Sequence, residues 1–182
     1  MELAFAPINA RGSDRDQLIA FMSGSRFPFH IGSEPTIEDA SKAIDSGRYE
    51  GPGHAAFWID EQDLGRMGVV VLEDLADSTP MFDLRLAEQF RGRGYGVQVL
   101  RDLTTLVFET IPEANRFEGQ TREDNIAMRK TFLRAGFVKE AHYREGWPVT
   151  GEAPVASVAY AILRRDWVTG KTTEFEWEDL RP

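Results

Sequence analysis

The stretch Arg91-Gly92-Arg93-Gly94-Tyr95-Gly96 joins an alternating run of residues to a long amphipathic one, and its reading decides the fold. Glycines at 92, 94 and 96 allow positive φ and let a ligand approach the backbone with no Cβ in between. A helix that begins here leaves its first N–H groups without an internal partner, and its dipole attracts anions. Arg91 and Arg93 add positive charge at this point in a chain of formal net charge −9. A pyrophosphate suits such a turn, although the same glycines also suit a plain strand-to-helix connection. The familiar nucleotide motifs do not apply. No Lys-Ser or Lys-Thr follows Gly96, and the glycine spacing is not that of the dinucleotide fingerprint.

Before the turn, Met81 to Ala87 places Phe82, Leu84 and Leu86 on one face and Asp83 and Arg85 on the other, which is the pattern of a strand. After it, Val97, Leu100, Leu103, Val107 and Ile111 keep helical spacing until Pro112. Arg116 to Thr121 reads as the next strand. The order strand, helix, strand within about 40 residues implies a right-handed crossover and two parallel strands. Asp124-Asn125 opens a helix over residues 126–134 that Gly136 closes. Residues 138–144 and 153–163 read as a last pair of strands.

Toward the N-terminus, residues 2–9 form a candidate first strand, and Ser13 to Asp16 has the composition of a helix start, with Leu18, Phe21 and Met22 following at helical spacing. Pro28, Gly32 and Pro35 break that helix. Phe27, Phe29 and Ile31 are too apolar for a plain surface loop, so they either pack onto the core or wall an acceptor pocket. Thr36 to Asp39 signals a second, short helix containing Ala40, Ala43 and Ile44 and ended by Gly47. Residues 54–60 and 66–72 read as an antiparallel pair, and an acidic loop, 73–80, follows. The tail, 169–182, carries Phe175 and Trp177 among acidic residues and suits a strand or ribbon on the surface.

A length of 182 residues with 42% hydrophobic and 28% charged content is that of one soluble globular domain spanning 1–182. There is no cysteine, which excludes a disulfide scaffold and a cysteine nucleophile. His30, His54 and His142 are widely scattered, so no metal site is expected. The N-terminus lacks a basic segment followed by an apolar run, and no apolar stretch is long enough to cross a bilayer. A cytoplasmic protein with no membrane partner is expected. A pI near 4.9 argues against nucleic acid and favours a cationic partner.

Two motifs together carry a resemblance. Arg91, Gly94 and Gly96, between a strand and a helix, match the pattern Arg or Gln, two residues, Gly, one residue, Gly or Ala. Residues 125–137, running from Asn125 to Gly136-Phe137, match a second helix motif. The chain resembles the GCN5-related N-acetyltransferases (GNAT), and the second motif resembles the branch that acetylates ribosomal-protein N-termini. The order of elements follows the family from about residue 54 to 165; the first 50 residues match loosely, and 168–182 is a C-terminal extension.

The resemblance implies an α/β (α+β) fold with a mixed central sheet of six to seven strands flanked by helices, two of them splayed at an acetyl-CoA cleft. It implies that the backbone of Arg91, Gly92, Arg93, Gly94, Tyr95 and Gly96 holds the coenzyme A pyrophosphate. Leu84 and Leu86 would pair with pantetheine like an added strand, and Asn125 would bond the arm near the thioester. Lys130 or Arg134 would reach the adenosine phosphates or remain solvated. Acetyl transfer needs a polarised thioester carbonyl, a neutral amine within reach and a route for protons, and no nucleophilic side chain. The acceptor implied is a small-molecule or peptide amine, with a homodimer as one assembly the family allows.

The acid and base depart from the family pattern. Phe132 stands where many members have Tyr, Met128 where the N-terminal branch often has Ser, and Gln120 where some carry a Glu base. Glu118, two residues earlier on the same strand face, and Tyr143 are the candidate catalytic residues, with His142 as another. These departures leave a non-catalytic acyl-CoA binding module as the alternative to an enzyme. Glu34, Glu38, Asp39, Glu73, Asp74 and Asp77 lie in segments expected to border the acceptor, where they would suit a cationic amine.

Overall fold

The computed structural model describes residues 2–177 and runs β1 (Leu3–Pro7), α1 (Arg15–Ser23), α2 (Ile37–Asp45), β2 (Glu50–Gly51), β3 (His54–Glu61), β4 (Gly65–Glu73), β5 (Met81–Leu86), α3 (Tyr95–Thr110), β6 (Arg116–Arg122), α4 (Ile126–Ala135), β7 (Val138–Trp147), β8 (Val155–Leu163) and α5 (Arg164–Thr169). The strands form one sheet in the order β1-β3-β4-β5-β6-β8-β7, with the two-residue β2 added on β3. Among the described residues every pairing is antiparallel except that of β5 with β6, where α3 makes the crossover. This is the expected mixed sheet, enlarged by β2 to eight strands.

Strand side chains alternate between faces, and each face meets its own helices. On one, Val70, Leu72, Phe82, Phe117 and Val158 pack against Val99, Leu103 and Val107 of α3 and Phe132 of α4. On the other, Ala56, Trp58, Val69 and Val71 meet Leu18 and Met22 of α1 and Ala40 and Ile44 of α2. Each such large side chain contributes about 1.5–3 kcal/mol by leaving water. The start of α2 forms as its sequence directs, in a capping box between Thr36 and Asp39. The end of α3 is held from afar: the Arg164 guanidinium donates to the carbonyls of Phe108, Ile111 and Ala114, each at 2.6 Å.

Two expectations change. In the loop between α1 and α2 only Phe27 is core, while Ile31 is 64% exposed. Asp83 and Arg85 share the face of β5 opposite Leu84, as expected, and lie beneath the layer of α1, α2 and their loop, with side chains 13% and 10% exposed. The short helix α5 leads into the tail, and 171–177 has no regular structure where a strand or ribbon was expected. Phe175 and Trp177 still pack together, edge to face at 5.5 Å. The rest of the expected tail, 178–182, lies outside the described residues. No helix among the described residues is long and apolar enough to cross a membrane.

Candidate active site

The site begins where β5 and β6 part. The Glu118 N–H donates to the Pro80 carbonyl at 3.1 Å, and Met81 and Glu118 are the one register pair between these strands among the described residues. Beyond it two aromatic rings occupy the point of divergence. A Cβ at Gly119 would stand 2.6 Å from the Phe82 ring and 2.7 Å from the Phe132 ring, so glycine there is what lets them meet. The Ala87 N–H donates to Met67 of β4, which sets the alternation. Odd residues of β5 turn their backbone to β4, and Leu84 and Leu86 turn theirs to the gap. The Leu84 carbonyl lies 3.2 Å from His30 Nε2, and the Leu86 carbonyl accepts from Arg91 Nε at 2.8 Å.

The glycine turn opens at the same end of the gap. Gly92 and Gly94 have φ of 70° and 85°, and Gly94 is the N-cap of α3. Among the described hydrogen bonds none is donated by the N–H groups of Gly92, Arg93, Gly94, Tyr95 or Gly96. A Cβ at Gly92 or Gly94 would meet nothing within 4 Å, so the turn is an open cradle of donors. Gly96 serves packing instead, since a Cβ there would lie 3.4 Å from the Thr131 methyl of α4. The two arginines divide. Arg93 is exposed beside the turn. Arg91 turns inward, donating to Leu86 and, at 2.6 Å, to the Arg26 carbonyl, and burial holds its pKa below the usual value.

Asn125 borders the far side of the gap. Its Oδ1 accepts from the Met128 N–H at 3.2 Å and caps α4, and its Nδ2 donates to Thr121 Oγ1 at 3.0 Å. One amide N–H is left over. Phe132 is fully buried and stacks on Tyr160 at 4.7 Å and 3°, so its position belongs to the core. The Tyr160 hydroxyl accepts from Arg129 Nε at 3.1 Å.

The face of the sheet opposite α3 carries the other candidates. Glu118 has both oxygens engaged, one accepting from Gln120 Nε2 at 3.0 Å and the other paired with Arg116. Ser157 extends this row by donating to Gln120 Oε1. Tyr143 is half exposed on the edge strand β7, opposite Ser157 and, through it, Arg122. That register places it two strands from β6 and four residues along from Glu118, so the two are not neighbours. His142 lies 3.9 Å from the Glu123 carboxylate. Several expected acceptor-side acids have local partners: Glu34 pairs with Arg26, Glu38 with Lys42, and Asp39 with the Thr36 cap.

A buried cluster beside Leu84 was not singled out from the sequence. Asp83 Oδ2 accepts from Arg48 at 2.6 Å and from Arg85 at 3.1 Å, and its Oδ1 lies 3.1 Å from His30 Nε2. Burial by itself would raise the Asp83 pKa. The His30 hydrogen bond and the charges of Arg85, His30 and Arg48 outweigh it, holding the carboxyl far below the usual carboxylate range. Arg48 also pairs with Glu73 at 3.2 Å. The Phe27 ring lies between Arg85 and Arg91, with the guanidinium carbons 4.9 and 5.1 Å from its centre. The available signal was weak: a histidine inside an apolar loop, and two opposite charges alternating in a strand.

The comparisons with known proteins identify the family and the fold. A family profile described as Acetyltransferase (GNAT) domain matches residues 3–138. No curated protein sequence matches significantly. Similar solved structures include a chimera of spermidine N-acetyltransferase SpeG from Vibrio cholerae and hSSAT, at 14% identity and TM-score 0.74, covering 92% of this chain and 99% of that one. They also include RimL, a ribosomal L7/L12 alpha-N-protein acetyltransferase in complex with coenzyme A, at 18% identity and TM-score 0.71, covering 88% and 93%.

Proposed function

The chain belongs to the GNAT family of acetyltransferases, and from that premise we propose that it transfers the acetyl group of acetyl-CoA to a cationic primary amine, borne by a polyamine-like molecule or a protein N-terminus. The observation that carries this reading is the gap between β5 and β6, which opens beside the unpartnered N–H groups at the start of α3. The residues present fit the cosubstrate. Gly92 and Gly94 leave room for a pyrophosphate, and the N–H groups of 92–96 can hold it. The Leu84 and Leu86 N–H groups face the gap and can serve pantetheine, their carbonyls being occupied by His30 and Arg91, with the spare Asn125 N–H across the gap.

Acetyl-CoA supplies an activated acyl group, and the protein supplies position and polarity. A backbone N–H on the open edge of β5 polarises the thioester carbonyl, and the acceptor enters from the face of Asp83 and Glu118. Direct attack by the amine needs no enzyme nucleophile, which suits a chain without cysteine. The reaction belongs in the cytoplasm, where acetyl-CoA and such amines meet. The SpeG and RimL names offer the two acceptor classes to be compared.

The test is to incubate purified protein and acetyl-CoA with a panel of polyamines and free N-terminal peptides, reading thiol release and the acetyl mass increment. Transfer to at least one class is expected. Tight acetyl-CoA binding with no transfer to any amine would refute the proposal.

A further inference from the structure

Arg91 leads the glycine turn, yet its side chain is spent on the other side of the gap. Nε donates to the Leu86 carbonyl at 2.8 Å and Nη1 to the Arg26 carbonyl at 2.6 Å, while Nη2 is closed to solvent and has no hydrogen-bond partner. The guanidinium carbon lies 5.1 Å from the centre of the Phe27 ring, which Arg85 meets at 4.9 Å. A charge meant for an anion keeps its donors open to the anion's approach, as the exposed Arg93 does. Arg91 does the reverse.

The loop that it holds, between α1 and α2, is attached to both strands that part. Residues 27–33 close on themselves: the Phe27 N–H donates to the Ser33 carbonyl at 2.7 Å and the His30 N–H to the Phe27 carbonyl at 3.0 Å. On the β5 side, His30 Nε2 faces two acceptors, Asp83 Oδ1 at 3.1 Å and the Leu84 carbonyl at 3.2 Å, so the neutral ring carries its proton there. On the β6 side, the Arg122 guanidinium carbon lies 5.5 Å from the centre of the Phe29 ring, and its Nη1 is 3.5 Å from the Pro28 carbonyl. Phe27 is the root of the loop, buried with α1 and α2 on the face of the sheet opposite α3. The loop therefore spans the gap on the side from which the acceptor enters.

We propose that Arg91 is a positioning residue for the acceptor amine: its side chain clamps the root of this loop to the end of β5 and holds the loop across the gap. This rests on the acetyltransferase reading. The backbone of the turn then faces acetyl-CoA, while the side chain of its first residue fixes the wall that the amine meets. Arginine suits the part because a planar guanidinium donates along its edge to two carbonyls and lays its face on an aromatic ring. A lysine ammonium is a point charge without that face. A wall ordered before the amine arrives spares the ordering that binding would otherwise require.

Arg91→Lys keeps the charge and removes the fork, and two measurements read the result. The first is amide hydrogen exchange by NMR in the absence of ligands. The Phe27 and His30 amides, whose bonds close the loop, should exchange about tenfold or more faster in the variant, with the amides of α3 unchanged. Unchanged exchange at Phe27 and His30 would overturn the clamp, and this result needs no turnover. The second compares KM for an accepted amine with the Kd of acetyl-CoA. Arg91→Lys should raise the acceptor KM about tenfold or more and leave acetyl-CoA affinity within about threefold. A loss of acetyl-CoA affinity with an unchanged acceptor KM would make Arg91 a phosphate ligand and overturn the proposal. Phe27→Leu removes the ring from the same clamp and should give the same split, and the double variant should lose little more than the worse single one. Additive losses would separate the two residues and overturn the clamp while leaving the acetyltransferase reading intact. A wild type inactive on every amine would overturn that reading, and the acceptor role of Arg91 with it.

Discussion

Gly94→Ala separates the proposed phosphate cradle from the fold. Gly94 is the N-cap of α3 at φ 85° and ψ −6°, a left-handed conformation that costs an L residue about 1–2 kcal/mol. The added methyl meets nothing within 4 Å, so no clash adds to that cost. In a domain of this size each kcal/mol lowers Tm by roughly 2–4 °C, so a drop of about 2–8 °C is expected. The methyl would stand in the space assigned to the pyrophosphate. One displaced N–H to phosphate bond is worth about 1.5–3 kcal/mol, which is a loss of about 10- to 100-fold in acetyl-CoA affinity. Gly65→Ala is the matched control. Gly65 also has a positive φ, 73°, and open space around it, but it sits in the β3–β4 hairpin away from the gap. Calorimetric titration with acetyl-CoA and thermal unfolding should show both variants losing similar Tm and only Gly94→Ala losing affinity. Equal affinity in the two would refute the placement of the phosphates.

Asn125→Ser keeps the α4 cap but gives up the Thr121 bond and the spare N–H, so stability should fall by about 1 kcal/mol while kcat/KM for acetyl-CoA falls by about tenfold or more; a variant with unchanged kinetics would leave Asn125 a cap alone. Glu118→Gln should raise KM for a cationic acceptor more than it lowers kcat, because both carboxylate oxygens are already engaged; a kcat loss of about 10²-fold with an altered acid limb would make Glu118 the base instead. The Asp83 carboxyl is held below the ordinary carboxylate range by His30, Arg85 and Arg48, so the stability it confers is complete above that range and is lost as pH falls below it toward the folded pKa. Acid unfolding followed by circular dichroism should therefore be less steep below about pH 4 in Asp83→Asn, which begins less stable; parallel acid titrations would refute this role.

The sequence alone determined what depends on local order. Hydrophobic period two before the glycine turn and helical period after it define β5 and α3, and the short spacing to β6 requires a parallel crossover. Thr36, Gly47, Asn125 and Gly136 mark helix ends because a side-chain acceptor or a positive φ is a property of one residue and its neighbours. The run of donors proposed to hold the phosphates was legible for the same reason, since they are consecutive backbone groups.

What the tertiary structure decided involves partners distant in the chain. That Arg91 turns inward follows from carbonyls at Leu86 and Arg26, the latter 65 residues away. Arg164 caps α3 from more than 50 residues away. Asp83 and Arg85 read only as the face of β5 opposite Leu84, because nothing local says that α1, α2 and the loop carrying Phe27 will cover them. Burial then converts a surface-like pattern into a paired cluster, since a charge taken from water must find its opposite. His30 gains its fixed tautomer only when that cluster forms, 53 residues from Asp83 in sequence and 3.1 Å from it in space. Alternation can show that a side chain leaves one face of a strand, but the packing of other segments decides whether it meets water, a helix or an opposite charge.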